Sequence, residues 1–357
     1  MNYKPALLPL SIEKNLENNL VLKKTISAHR YLAELKGIVS TIPNETILIN
    51  TLSLQEAKDS SAIENIVTTH DEIFKRELFT EKVSAEAKEV KNYATALQHG
   101  FKLIKINKII RLNDILEIQE LLENNKAGLR KIPGTALKNQ QTGATVYTPP
   151  QDGKEVAKLI GNLLEYINDD EISELDPLVK MAIIHFQFES IHPFYDGNGR
   201  TGRILNILYL VLQDLLELPV LYLSNHIIKH KAAYYKLLQT VREKNDWQSW
   251  ILFILDGIEK TAQDNILLIK SITELMQNHK QLIRNDLPKI YSQDLINSLF
   301  KHPYTKVQFF INDLNVSRIT ATKYLNLLTE KKLLQKHKVG KNNYYINSQL
   351  CDLFLSK

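Results

Sequence analysis

A mainly α fold, with one short β-hairpin near its middle and a winged helix-turn-helix at its C-terminal end, is predicted by three observations. Glycine and proline are scarce, 12 and 11 in 357 residues, and long apolar runs recur at helical spacing. Between Lys131 and Pro150 the apolar period falls instead toward two. Beyond about Leu287, short helical segments give way to a second strand-like pair. At 44% hydrophobic, the chain can bury a sizeable core and is long enough for two or three domains, expected at 1–100, 101–275 and 276–357.

The elements follow in order. An extended, proline-bearing lead precedes a helix through Ala28, Tyr31, Leu32, Leu35 and Ile38, which Pro43-Asn44 breaks. A second helix through Leu52, Leu54 and Ala57 runs into Ser60-Ser61-Ala62-Ile63-Glu64-Asn65. Residues 71–125 read as further helices, with Glu86, Lys88, Glu89 and Lys91 on a solvated face and Asp114–Leu122 amphipathic. The hairpin pairs Thr135-Ala136-Leu137 with Thr145-Val146-Tyr147 around Thr142-Gly143. Val156, Leu159, Ile160, Leu163, Leu164 and Ile167 then mark a core helix. Asp176-Pro177 opens the next, with proline in a tolerated first-turn position, and Pro193 ends it near Ile191. Ile204 to Leu212 form another buried helix. Trp247, Trp250 and a helix through Phe253, Leu255 and Ile258 close this unit, and a polar-faced helix near Thr261–Asn285 leads onward.

The last segment has its own pattern. Helices over Asp294–Phe300 and Val307–Leu314, a turn at Asn315-Val316-Ser317, a third helix capped by Ser317, and a hairpin of Leu333–Val339 with Tyr344–Asn347 spell a winged helix. From Lys301 onward it carries ten basic residues against three acidic, a surplus of seven that outweighs a net −2 over residues 1–300 to give the chain +5. Arg318, Thr320, Thr322 and Lys323 could face a DNA major groove, and Lys336, Lys338 and Lys341 phosphates. A protein-docking or dimerising winged helix fits the moderate charge equally well. One cysteine, Cys351, excludes an internal disulfide framework and suits a reducing cytoplasm. No stretch approaches the ~18 apolar residues of a membrane span, so a soluble cytoplasmic protein is expected.

The densest chemistry lies in His192-Pro193-Phe194-Tyr195-Asp196-Gly197-Asn198-Gly199-Arg200-Thr201-Gly202-Arg203, at a helix-loop-helix junction. Gly197 and Gly199 allow close backbone approach, and the following helix N-terminus offers unpaired amides to an anion. Arg200 and Arg203 share a face and can clamp a polyphosphate. Asp196 is a hard ligand for Mg²⁺, and His192 can take a proton near neutral pH. Phe194 reads as a core anchor and Tyr195 as outward-facing. A zinc triad of His185, Glu189 and His192 is a competing pattern, but the anion loop serves phosphate better, leaving His185 and Glu189 to orient the loop.

This string resembles the signature of the Fic (filamentation induced by cAMP) family of protein adenylyltransferases, with no departure at a signature position. The resemblance implies transfer of AMP from ATP to a hydroxyl side chain of a target protein, itself included. His192 would be the base, Asp196 would hold Mg²⁺, and Asn198 with the loop amides of Gly197, Gly199, Thr201 and Gly202 would orient phosphates. Arg200 and Arg203 would bind the phosphate tail, and Tyr234 would wall the adenine pocket. Ser60-x-x-x-Glu64-Asn65 resembles the inhibitory motif of auto-inhibited members, in which Glu64 would pair bidentately with Arg203 and displace the γ-phosphate. The same Glu64 could position a water for AMP removal. Thr145, Val146 and Tyr147 would form the family's flap, pairing with target backbone as an added strand. The rival reading is a DNA-binding regulator whose nucleotide site only senses; an intact His192 speaks for the enzyme, since a sensor needs no base. A homodimer is the remaining candidate partner.

Overall fold

The computed structural model describes residues 3–42, 44–68, 84–139, 142–339 and 342–355. The expectations for residues 71–83, Pro43 as a helix breaker and Lys341 as a phosphate contact lie outside them. The architecture is mainly helical, as the sequence predicts.

Helix α1 (Asn19–Val39) starts where the Asn18 side chain accepts from the amides of Leu20 and Val21. Helix α2 (Glu45–Ile63) is capped the same way by Asn44 and ends on Glu64. Helices α3 (Ala85–Asn107), α4 (Leu112–Glu123) and α5 (Gly153–Asn168) follow. At the centre stand α6 (Pro177–Ile191) and α7 (Asn198–Leu212). Every residue of α6 after Pro177 is buried, which an element apolar on all sides requires. It packs between α5, α7 and the long α10 (Trp247–Asp286), while α8 (Ser224–Lys229) and α9 (Lys231–Lys244) complete the surround. Trp250 ties α10 to α6, its indole N–H donating to the Ala182 carbonyl at 2.8 Å and its ring stacking on His185.

The 40-residue α10 corrects the expectation of two helices between Trp247 and Asn285. Its composition shifts from apolar to polar-faced without a proline, and its one glycine, Gly257, serves close packing: a Cβ there would meet the side chains of Leu223 and His226. The hairpin forms from β1 (Leu137–Lys138) and β2 (Thr145–Tyr147), antiparallel, with Leu137 opposite Tyr147.

Toward the C-terminus come α11 (Gln293–Lys301), β3 (Tyr304–Thr305), α12 (Val307–Leu314) and α13 (Arg318–Glu330). Ser317 caps α13 by accepting from the Thr320 amide. Strands β4 (Gln335–Val339) and β5 (Asn342–Ile346) form a hairpin that β3 joins, in the order β3-β5-β4, before α14 (Ser348–Leu355). Three helices followed by this hairpin are compatible with a winged helix; β3 and α14 were not expected. Helix α11 packs against α2, and Gln55 of α2 donates to the Phe354 carbonyl of α14.

Candidate active site

Pro193 stops α6, and His192 caps it in the left-handed region at φ 49°. The last carbonyls of a helix need donors. Buried Arg130 supplies them, giving Nε to the His192 carbonyl (2.7 Å) and Nη2 to that of Ile191 (3.0 Å). Its charge also suits a helix C-terminus. Phe194 is fully buried, and Asn198 locks the loop in both directions, accepting from the Phe194 amide at 2.8 Å and donating to its carbonyl at 2.9 Å. Gly197 caps α7 with φ +78°, where a Cβ would also run into Glu123. Asp196 is exposed and accepts from the Gly197 amide at 2.8 Å. Tyr195 is exposed, its hydroxyl accepting from the amides of Lys131 and Ile132.

The two arginines of α7 have different surroundings. Arg203 gives Nε to Ser60 Oγ at 2.8 Å and Nη2 to both the Ser60 carbonyl and Glu64 Oε1 at 3.0 Å. Burial works against its charge, but Glu64 and neighbouring Tyr234 and Tyr93 more than offset this, and its pKa is raised. The Glu64 contact uses one carboxylate oxygen rather than the expected two. Arg200 points elsewhere, holding Glu89 with Nη1 and Glu123 with Nη2, both at 2.8 Å. Glu89 was expected on a solvated face; the ion pair draws it toward Arg200. Beneath Ser60, buried Glu56 accepts from the Tyr93 hydroxyl and from the amide and hydroxyl of Ser224, and burial pushes its pKa up to about 7.

A cavity of about 710 Å³ joins these parts. Its lining includes Glu64, Val146, Tyr147, Glu189, His192, Gly199, Arg203, Tyr234 and Arg242. Tyr147 is anchored through its hydroxyl to the Ser190 carbonyl at 2.8 Å, while Val146 stands half exposed on the strand beside the cavity and Thr145 faces solvent. Arg242 lies over the Tyr147 ring, 4.0 Å from its centroid. The His192 pKa is lowered to about 4, by burial first and then by the charges of Arg130 and Arg242. The ring is therefore neutral at pH 7. Tyr234 is buried, its hydroxyl 2.9 Å from His185 Nε2.

Thus His192, Gly199, Arg203, Tyr234, Glu64 and the flap residues Val146 and Tyr147 converge on one cavity. Arg200, buried Thr201 and the Asn198 side chain serve the loop and its packing, and Gly202 leaves room for Phe188 and Glu189. Sequence reading missed Arg130, Arg242 and Glu123. No local pattern marks them, because each meets the site from a distant helix or loop.

Fold and geometry define a helical protein whose central junction joins a neutral histidine, a tight loop at a helix N-terminus and an arginine capped by a carboxylate. The Fic/DOC family N-terminal profile matches residues 22–102, the Fic/DOC family profile residues 103–210, and that of the Protein adenylyltransferase SoFic-like, C-terminal domain residues 275–350. The chain belongs to the Fic/DOC family. It is similar to Protein adenylyltransferase Fic of Drosophila erecta, 30% identical over 155 residues, and of Drosophila melanogaster, 29% identical over the same length. In each case the match covers 43% of this chain and only 29% of the relative. Among solved structures, a Fic family protein from Desulfovibrio desulfuricans G20 superposes with TM-score 0.53 at 21% identity, covering 90% of this chain and 95% of that one. Fic-1 (aa134 - 508) from C. elegans gives 0.54 at 22%, covering 70% and 74%.

Proposed function

We propose that this chain is a protein adenylyltransferase, transferring AMP from ATP to a hydroxyl of a target protein and restrained by Glu64. The observation that carries the reading is that His192, the Gly199 end of the anion loop and Arg203 line one cavity. Relatives named Protein adenylyltransferase Fic support it. His192 takes the proton of the target hydroxyl, the oxygen bonds to the α-phosphorus, and pyrophosphate leaves toward the anion loop and Arg203. The target backbone adds to the β2 edge, and Tyr234 walls the adenine. A second reaction, hydrolysis of the modified target to free hydroxyl and AMP, uses Glu64 to position water. Asp196 is a hard oxygen donor beside the loop, with one oxygen on the Gly197 amide, and fits a cation completed by phosphate oxygens. Asp196 would hold Mg²⁺, which when bound neutralises phosphate charge. The division at 1–100, 101–275 and 276–357 is supported by profile boundaries at 102/103 and 275, and a cytoplasmic location by the lone cysteine. Incubating the Glu64→Gly protein with ATP, Mg²⁺ and candidate targets should give an AMP adduct by mass spectrometry; no adduct on any target or on the protein itself sinks the reading.

The pH profile follows from His192. A base works only when deprotonated, and the lowered pKa keeps it so down to about pH 4. The acid limb of kcat/KM for the Glu64→Gly protein should therefore fall well below the ~6.5 of an ordinary histidine. A limb at 6.5 would mean that the ring titrates as if solvated.

The C-terminal elements offer a partner surface on α13, where Arg318, Ile319 and Lys323 are exposed, as are Lys336 and Lys338 of β4. These cations make DNA the partner to test. Binding to mixed duplex should weaken steeply with salt and lose slope in Arg318→Ala with Lys323→Ala. Salt-independent or absent binding would leave a protein partner, a second copy of this chain among them.

A further inference from the structure

Glu189 lies on α6, one turn before His192, with its side chain buried in the wall of the cavity. Its Oε1 is buried and has no hydrogen-bond partner among the described residues. Buried polar groups are rarely left so, because desolvation is costly without a replacement bond. Several nearby donor atoms bond to other partners. Tyr234 meets His185, Arg203 gives Nε and Nη2 to Ser60 and Glu64, and Arg242 leans on Ser190 Oγ at 3.3 to 3.4 Å. Helix α7 offers no side chain at the facing position, Gly202, where a Cβ would come within 3.1 Å of Glu189 Oε1. Burial pushes the Glu189 pKa up to about 7, so the group faces the cavity as a partly neutral acceptor. Phosphates would be repelled by it and have the amides and Arg203 to go to. The same cavity also has apolar and aromatic lining in Ile63, Tyr235 and Leu238. What suits such a lining is the uncharged half of a nucleotide.

We infer that Glu189 is a nucleoside-binding residue, its carboxyl accepting a hydrogen bond from a neutral donor of the bound nucleoside, either a ribose hydroxyl or the exocyclic amino group of adenine. The inference rests on the nucleotide reading of the cavity proposed above. It predicts that the site prefers adenine or an intact ribose through this one group. Bound in this way, the donor meets the carboxyl from the cavity side and fixes the nucleoside relative to His192 on the same helix.

The test uses the full chain carrying Glu64→Gly, with Glu189→Ala or Glu189→Gln added, and reads both KM for AMP transfer and equilibrium binding of ATP. Glu189→Ala should raise KM and Kd for ATP about tenfold or more, the range for a hydrogen bond to a carboxylate, and Glu189→Gln, which keeps an acceptor, should recover most of this. The donor is named by comparing 2′-deoxy-ATP, 3′-deoxy-ATP and purine riboside triphosphate. The analogue lacking the donor that Glu189 reads should bind worse than ATP to the Glu189 protein and equally well to Glu189→Ala. Unchanged ATP affinity in Glu189→Ala, or analogue penalties that persist undiminished in it, would overturn the inference; so would a loss of thermal stability with nucleotide affinities intact, which marks a structural role. If the parent binds ATP in a Glu189-dependent way but transfers no AMP, the inference stands and the adenylyltransferase reading falls. Failure of the parent to bind ATP overturns both.

Discussion

Replacing Glu64 by glycine is expected to raise the rate of AMP transfer by roughly ten- to a hundredfold. Glu64 Oε1 accepts a charge-assisted hydrogen bond from Arg203 at 3.0 Å, and it does so inside the cavity that the phosphate tail must enter. Such a bond contributes about 1.5–3 kcal/mol, and each 1.4 kcal/mol is about tenfold in an equilibrium. A triphosphate must displace the carboxylate before Arg203 can serve it, so the enzyme rests mostly in the capped state. Glycine removes the competitor and leaves Ser60, whose hydroxyl and carbonyl still orient the arginine. Initial rates at ATP concentrations below KM, wild type against Glu64→Gly, check the direction; equal rates would mean that the contact restrains nothing.

Adding His192→Ala to that active background should cost about 10²- to 10⁴-fold in rate, the range for a positioned general base. ATP affinity should change little, because the anion loop is held by Asn198, Phe194 and Arg130 rather than by the imidazole. The separation matters for interpretation. A variant that lost rate and binding together would indicate collapse of the loop, whereas loss of rate with binding intact assigns the proton transfer to His192.

Much of the centre of the molecule was legible before the structure. Pro177 and Pro193 bracket α6 by proline chemistry, and the run of apolar residues between them demands burial on every side. The signature from His192 to Arg203 and the spacing of Ser60 and Glu64 led to the same arginine that the structure caps. What failed was long-range pairing. Glu89 belongs to a run of alternating charges that looks solvated from the sequence, and only the packing of α3 beside α7 brings it to Arg200. Arg242 looks like one more cation near a helix end until α9 folds back and lays it over Tyr147. Glu189 was read as a residue orienting the loop; that its Oε1 is also buried without a partner among the described residues is visible only once the neighbours are in place. The long α10 was divided in two because a change of hydrophobic texture mimics a boundary when no breaker is present to confirm or deny it.

The central claim is nucleotidyl transfer held back by Glu64, and the position of the label on ATP tests it most directly. Wild type and Glu64→Gly, each with and without His192→Ala, would be incubated with Mg²⁺ and either α- or γ-labelled ATP, and covalent label on protein counted. The account predicts α-label on Glu64→Gly well above wild type, a fall of about a hundredfold or more in labelling rate when His192→Ala is added, and no γ-label in any of them, since pyrophosphate departs. Covalent γ-label, or α-label that ignores both Glu64 and His192, would contradict it.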